Sequence, residues 1–170
     1  MKIKSIGIIG FGSIAKKHAS AIYNINKKIE IIKISKNKKK DHFTISDAIL
    51  SGLDGVIICS PADSHLRYIK ILNKAKIPFI VEKPICTYHQ IKVLEKIIKN
   101  LKKNTTNVLG YQFRYDDILV KFKKLLDENR VGVIDDVKIY CNSYLPKWRK
   151  IDYRKSVSVS KIRGGGVLHE

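Results

Sequence analysis

The sequence has few sulfur-containing residues and no long apolar run. Its three cysteines, Cys59, Cys86 and Cys141, lie far apart in 170 residues, without Cys–x–x–Cys or Cys/His spacing. We therefore predict no disulfide framework and no metal site. No stretch approaches the roughly 18 consecutive apolar residues of a membrane helix, and no small-residue cleavage site follows the apolar residues 6–14. These absences predict a cytoplasmic protein without a membrane partner.

Acidic residues are also scarce. The chain has 15 Asp and Glu against 34 Lys and Arg, a formal net charge of +19. Such an excess of positive charge raises non-specific affinity for polyanions. The lysines are scattered over every segment, however, whereas nucleic-acid readers concentrate arginine and aromatic residues on one element. We predict no specific nucleic-acid partner, and nucleic-acid binding remains the weakest alternative.

Short apolar runs alternate with helical patterns over residues 1–114. Predicted strands cover Lys4 to Ile9, Ile29 to Ile34, Gly55 to Cys59, Phe79 to Val81 and Asn107 to Gln112. Amphipathic segments with apolar residues at helical spacing lie between them. Alternation of this kind is typical of a parallel sheet covered on both faces. We predict an α/β fold, a Rossmann-type doubly wound parallel sheet.

The pattern changes near residue 115. An amphipathic helix is predicted around Ile118 to Leu126, and Val137, Ile139 and Cys141 then alternate with polar residues as in a half-buried strand. Residues 115–170 are therefore predicted to form an incomplete α+β second domain.

A glycine-rich turn joins the first predicted strand to the first helix. Gly10 permits a tight turn, and Gly12 lets the backbone approach a ligand without an intervening side chain. The helix that follows presents free N–H groups, which bind phosphates. The segment Gly10-Phe11-Gly12-Ser13-Ile14 thus predicts dinucleotide binding, with a purely structural turn as the alternative.

The second predicted strand ends without a carboxylate. Dinucleotide-binding folds that select NAD usually carry an acidic residue there to hold the ribose hydroxyls. Here the chain has Ser35 and Lys36, a hydroxyl and an ammonium that tolerate a 2′-phosphate. The cofactor is predicted to be NADP or NAD, with a slight preference for NADP.

Two further motifs follow the third and fourth strands. Ser60-Pro61-Ala62-Asp63-Ser64-His65 and Glu82-Lys83-Pro84 occur in order, and Gly110 to Tyr115 follow them. Together with the glycine turn, these motifs resemble the Gfo/Idh/MocA oxidoreductases. The resemblance covers nearly the whole chain and implies that both turns lie beside the nicotinamide. The implied cofactor-binding residues are Gly10, Phe11, Gly12, Ser13, Ile14, Ser35, Lys36, Ser60, Pro61, His65, Glu82 and Lys83.

The resemblance also implies the chemistry. Hydride transfer from a carbinol carbon to nicotinamide is easier when a cation stands at the hydroxyl oxygen and a base takes its proton. Lys83 is the implied catalytic residue and a substrate contact. The Lys83-Pro84 bond is predicted to be cis, as is common in turns at functional sites. Arg114, Trp148 and Arg149 are implied further contacts to a sugar or nucleotide-sugar polyol.

The sequence also contains two histidines near these motifs. His65 either faces the nicotinamide or caps and packs at the start of its helix. His18, on the apolar face of the first helix, is interpreted as a packing residue.

The chain departs from the family in its length. Family members are roughly twice as long, and their general-base histidine follows the position that corresponds to Glu170. We therefore expect either a gene fragment or a chain whose missing sheet is supplied by a homo-oligomer or a partner chain. In both cases the chain is expected to be unable to complete catalysis alone. The alternative is a non-catalytic dinucleotide-binding or scaffold protein.

Overall fold

The computed structural model describes residues 2–35, 44–50, 52–101, 105–142, 144–147 and 152–166. Strands and helices alternate over the first two thirds of the chain, as the apolar pattern predicts. The strands are β1 (Ser5–Ile9), β2 (Glu30–Ile34), β3 (Gly55–Ile58), β4 (Phe79–Val81) and β5 (Asn107–Leu109). The α-helices are α1 (Ser13–Ile25), α2 (Ile45–Leu50), α3 (His65–Ala75), α4 (Ile91–Lys99) and α5 (Asp117–Asp127).

The strands form a parallel sheet in the order β2-β1-β3-β4-β5. From β1 the chain passes to β2 on one side, and then crosses back to β3 on the other. In open α/β sheets, ligands bind beyond the carboxyl ends of the strands where the strand order reverses in this way. The topology therefore points to the end of the β1–β3 pair as the place for a site.

Each face of the sheet buries its own apolar cluster. Ile8 and Ile57 pack against Ala15 and Ile22 of α1, whereas their chain neighbours Ile9 and Ile58 pack on the opposite face. That second face is covered by α3 and α4, with Leu66, Ile69, Leu72 and Ile97 buried. Because adjacent strand residues point to opposite faces, both faces of the central strands are apolar. The predicted doubly wound fold is confirmed.

The chain divides into two compact units, one of Met1–Gly110 with Ser156–Glu170 and the other of Tyr111–Lys155. In the first unit, Gly164 packs so closely on Ala62 that an added Cβ would lie 2.8 Å from the Cβ of Ala62. Arg163 Nε also lies 3.4 Å from Asp63 Oδ2. The units divide the chain differently from domains 1–114 and 115–170, which stay a prediction.

The predicted strand at Val137 to Cys141 was wrong. In the described part of the second unit these residues are in no strand, and Val137 and Ile139 are 66% and 86% exposed. An alternating segment becomes a strand only when a neighbour satisfies its backbone groups, and none of the described residues pairs with it. The predicted helix is present as α5, with Asp116 accepting hydrogen bonds from the N–H groups of Ile118 and Leu119.

Two negative findings apply to the described residues. None of their helices is both long and apolar enough to span a bilayer. They also contain no cluster of three or more His, Cys, Asp or Glu side chains arranged to hold a metal ion.

Candidate functional site

Backbone hydrogen bonds continue the sheet one residue beyond its strands. Gly10 N donates to Ile34 O at 3.0 Å, and Cys59 N donates to Ile9 O at 2.8 Å. Across the other half of the edge, Glu82 N donates to Ile58 O at 3.0 Å and Gly110 N to Val81 O at 2.8 Å.

All the predicted motifs of the first unit therefore meet at one edge. The strand ends Ile9, Ile58 and Val81 are in register, so the glycine turn, the serine–proline turn and the lysine turn follow them side by side. We refer to this row of turns as the carboxyl edge.

The two glycines of the first turn have different surroundings. Gly10 has φ +79°, and a Cβ there would lie 2.8 Å from Ser60 Cα and 2.9 Å from Ser60 N. The turn therefore needs glycine at position 10 both for its backbone conformation and for its approach to β3. At Gly12, φ is −85° and an added Cβ meets nothing within 4 Å. The fold thus does not require Gly12 to be glycine, whereas a ligand seated on this turn would.

The N-terminus of α1 opens directly onto this space. Gly12 is its N-cap, no side-chain hydrogen bond caps it among the described residues, and its first turn has no acidic residue. Uncapped N–H groups and the positive end of the helix dipole favour an anion at this position. Ala15, fully buried against β1 and β3, lets the helix approach the sheet closely. Lys33 Nζ adds positive charge 5.1 Å from the centroid of the Phe11 ring.

A hydroxyl pair organises the turn after β3. Ser64 Oγ donates to Pro61 O at 2.8 Å and lies 2.7 Å from Ser60 Oγ. Since the Ser64 hydrogen is already used, Ser60 is the donor in the pair. In this arrangement the Ser60 hydroxyl has only lone pairs left for a ligand.

His65 lies beneath the turns and is not aimed at the space above them. It is 1% exposed, with Nε2 2.6 Å from Ser60 O and Nδ1 3.0 Å from Pro84 O. Burial lowers its pKa, against the opposing effect of the nearby backbone carbonyls and the Glu82 carboxylate. These contacts favour the packing alternative, in which His65 supports the two turns, and its implied cofactor contact stays a prediction.

The lysine turn begins with a side-chain hydrogen bond that the sequence did not reveal. His18 Nε2 of α1 lies 2.7 Å from Glu82 Oε1, and the two side chains are 26% and 14% exposed. The Lys83-Pro84 peptide bond is cis, as predicted. His18 was interpreted as a packing residue because it lies on the apolar face of α1, and that interpretation missed its polar contact.

Cys59 lies in the same region and is chemically quiet. It packs against the apolar cluster beneath α1. Burial, with a smaller contribution from the Glu82 carboxylate, raises the pKa of its thiol to about 12. A thiol this weakly acidic is not a nucleophile at neutral pH, so Cys59 is a packing residue.

Among the remaining predicted contacts, the structure places Ser35 at the carboxyl edge. Ser35 directly follows β2 at this edge, but Lys36, Trp148 and Arg149 lie outside the described residues. Arg114 is exposed on a 3₁₀ turn, Gln112–Tyr115, of the second unit. The roles predicted for these residues stay predictions.

Comparison with known proteins agrees with this geometry. Residues 4–111 match the model of the oxidoreductase family with an NAD-binding Rossmann fold, GFO_IDH_MocA. Inositol 2-dehydrogenase of Rhizobium meliloti is 24% identical over 96% of this chain and 50% of its own length. Glucose-6-phosphate 3-dehydrogenase of Bacillus subtilis is 25% identical over 95% of this chain and 49% of its own.

A solved structure shares the fold. Scyllo-inositol dehydrogenase from Lactobacillus casei with bound NAD(H) and scyllo-inositol superposes with a TM-score of 0.59, at 23% identity over 77% of this chain and 43% of that one. The chain spans about half the length of the curated relatives it matches. With the family model matching well over half of its residues, the chain belongs to the Gfo/Idh/MocA oxidoreductase family and carries its NAD-binding Rossmann fold.

Proposed function

We propose that the carboxyl edge binds a nicotinamide dinucleotide across the glycine turn and the lysine turn. The observation that carries this proposal is the open space over Gly12, where a Cβ would meet nothing within 4 Å, in front of an uncapped helix N-terminus. The N–H groups of Ser13 and Ile14 would hold the diphosphate there. Ser60, Pro61, Glu82 and Lys83 would line the nicotinamide end of the same edge.

We further propose that the protein is an oxidoreductase in which Lys83 is the catalytic residue. A bound nicotinamide supplies the hydride acceptor or donor. The Lys83 ammonium would hold the substrate hydroxyl by a charge-assisted hydrogen bond and stabilise negative charge on its oxygen as the proton leaves. A second group must take that proton, and no described residue is assigned to this role.

The proposed substrate is a sugar-like polyol. The relatives are named for inositol and for glucose 6-phosphate, and the solved neighbour holds scyllo-inositol. All three are rings with several hydroxyl groups, which suit recognition by lysine and arginine donors. Arg114, Trp148 and Arg149 are the proposed additional substrate contacts.

We also propose that the site prefers NADP to NAD. Ser35 follows β2 where NAD-selective folds carry a carboxylate, and Lys33 holds its ammonium beside Phe11 of the glycine turn. The ammonium groups of Lys33 and Lys36 would attract the 2′-phosphate of NADP. Exposed ion pairs are worth up to about 1 kcal/mol, so the expected preference for NADPH is only about fivefold.

Titration of purified protein with NADH and NADPH, followed by nicotinamide fluorescence, tests the binding proposal. We expect saturable binding of both, with a Kd below ~1 mM and the tighter value for NADPH. Raising the salt concentration should reduce the difference, because exposed charges are screened. Absence of saturation by either nucleotide at millimolar concentration would refute dinucleotide binding.

A further inference from the structure

The hydrogen bond between His18 and Glu82 connects the glycine-turn side of the carboxyl edge to the lysine turn, and β1 and β4, the strands before these two turns, are not neighbours in the sheet. His18 belongs to α1, the helix that follows the glycine turn, and Glu82 belongs to the turn after β4. In the sheet β3 separates β1 from β4. The 2.7 Å bond between Nε2 and Oε1 therefore spans β3 from above.

The pleat of the strands directs Glu82 towards α1. Ile80 packs in the cluster beneath α1 and Val81 packs on the opposite face, so residue 82 returns to the α1 face. On its other side the Glu82 carboxylate is bounded by Gly110, directly after β5, since a Cβ at Gly110 would lie 3.3 Å from Oε1. The carboxylate thus has little freedom, and His18 is the partner that reaches it from the helix.

The bond is also strong for its type. The acceptor carries a full charge and the pair is mostly removed from water, and both conditions strengthen a hydrogen bond. With its proton on Nε2, neutral imidazole can donate this bond, so the contact does not require a charged histidine.

We infer that His18 is a positioning residue that sets the spacing between the diphosphate end and the nicotinamide end of the cofactor site. This inference rests on the proposed dinucleotide binding. Glu82 immediately precedes Lys83, so anchoring Glu82 to α1 fixes the start of the lysine turn relative to the glycine turn. A dinucleotide must contact both turns at once, whereas a ligand without nicotinamide needs only the first.

Matched variants separate this role from general support of the fold. His18→Leu places an apolar side chain without a hydrogen-bond donor at this position. His18→Gln instead places an amide N–H at a similar reach. The exposed His89, outside the carboxyl edge, supplies the control variant His89→Leu. Each protein is titrated with NADH and with ADP-ribose, which keeps the diphosphate and lacks nicotinamide, and its thermal unfolding is recorded.

For His18→Leu we expect the Kd for NADH to rise about tenfold, the loss of one hydrogen bond to a charged group, with the Kd for ADP-ribose changed less than about twofold. His18→Gln should restore most of the NADH affinity, and His89→Leu should match the unmodified protein. Equal changes for the two ligands, or no change for NADH, would overturn the inference, as would failure of His18→Gln to bind better than His18→Leu. If the unmodified protein bound neither ligand, the proposed function itself would fail.

Discussion

Replacing Gly12 by valine is expected to weaken NADH binding about a hundredfold while leaving the fold nearly as stable as before. The valine side chain would fill the space in front of the α1 N-terminus, where an added Cβ now meets nothing within 4 Å. Two charge-assisted hydrogen bonds from backbone N–H groups would be lost, worth about 3 kcal/mol together, or roughly a hundredfold in Kd.

The stability of this variant is the control that gives the result its meaning. Gly12 is exposed with φ −85°, a conformation that valine adopts freely, and loss of a favourable N-cap residue typically costs only about 1 kcal/mol. Urea unfolding and fluorescence titration of the same preparation measure both quantities. A Gly12→Val protein that still binds NADH with unchanged affinity would show that no diphosphate rests on this turn.

Unlike Gly12→Val, Gly10→Ala is expected to destabilise the fold, with a loss of about 3 kcal/mol in the free energy of unfolding. The left-handed backbone at φ +79° costs a non-glycine residue ~1–2 kcal/mol. The new methyl group would also lie 2.8 Å from Ser60 Cα, and overpacking of this kind costs ~1–3 kcal/mol. Because the neighbour is backbone, the clash is relieved only by moving the turn that follows β3.

Gly52 offers a matched comparison for the second prediction. It has the same φ of +79°, but a Cβ there meets nothing within 4 Å. Gly52→Ala should therefore show only the conformational cost, and the difference between the two variants in urea midpoint measures the contact with Ser60. Equal destabilisation by the two substitutions would contradict the close approach of the glycine turn to β3.

The sequence predicted the sheet well because its strands are buried on both faces. Runs such as those around Ile57 and Ile80 have no alternative exposed face, so their apolar pattern identifies them directly. The motifs at the carboxyl edge were also predictable, since glycine and proline report local backbone requirements. Gly10 is an example, because its role follows from a turn that only glycine fits.

Other features depend on contacts that local sequence does not encode. His18 and Glu82 are 64 residues apart, and only the placement of α1 across β3 brings them together. The helical spacing of apolar residues likewise does not predict how much of the apolar face of a helix is buried. On α4, Ile97 is buried while Ile91 and Ile98 are 43% and 54% exposed. The predicted strand at Val137 failed for the same reason, because strand formation needs a partner.

A crystal structure of the chain with bound NADH would test most directly whether the carboxyl edge is the dinucleotide site. We expect the diphosphate at the N–H groups that follow Gly12 and the nicotinamide next to Lys83, with His18 still bonded to Glu82. Density for the nucleotide elsewhere, such as along the lysine-lined groove between α3 and α4 at Lys70, Lys74 and Lys96, would contradict this account.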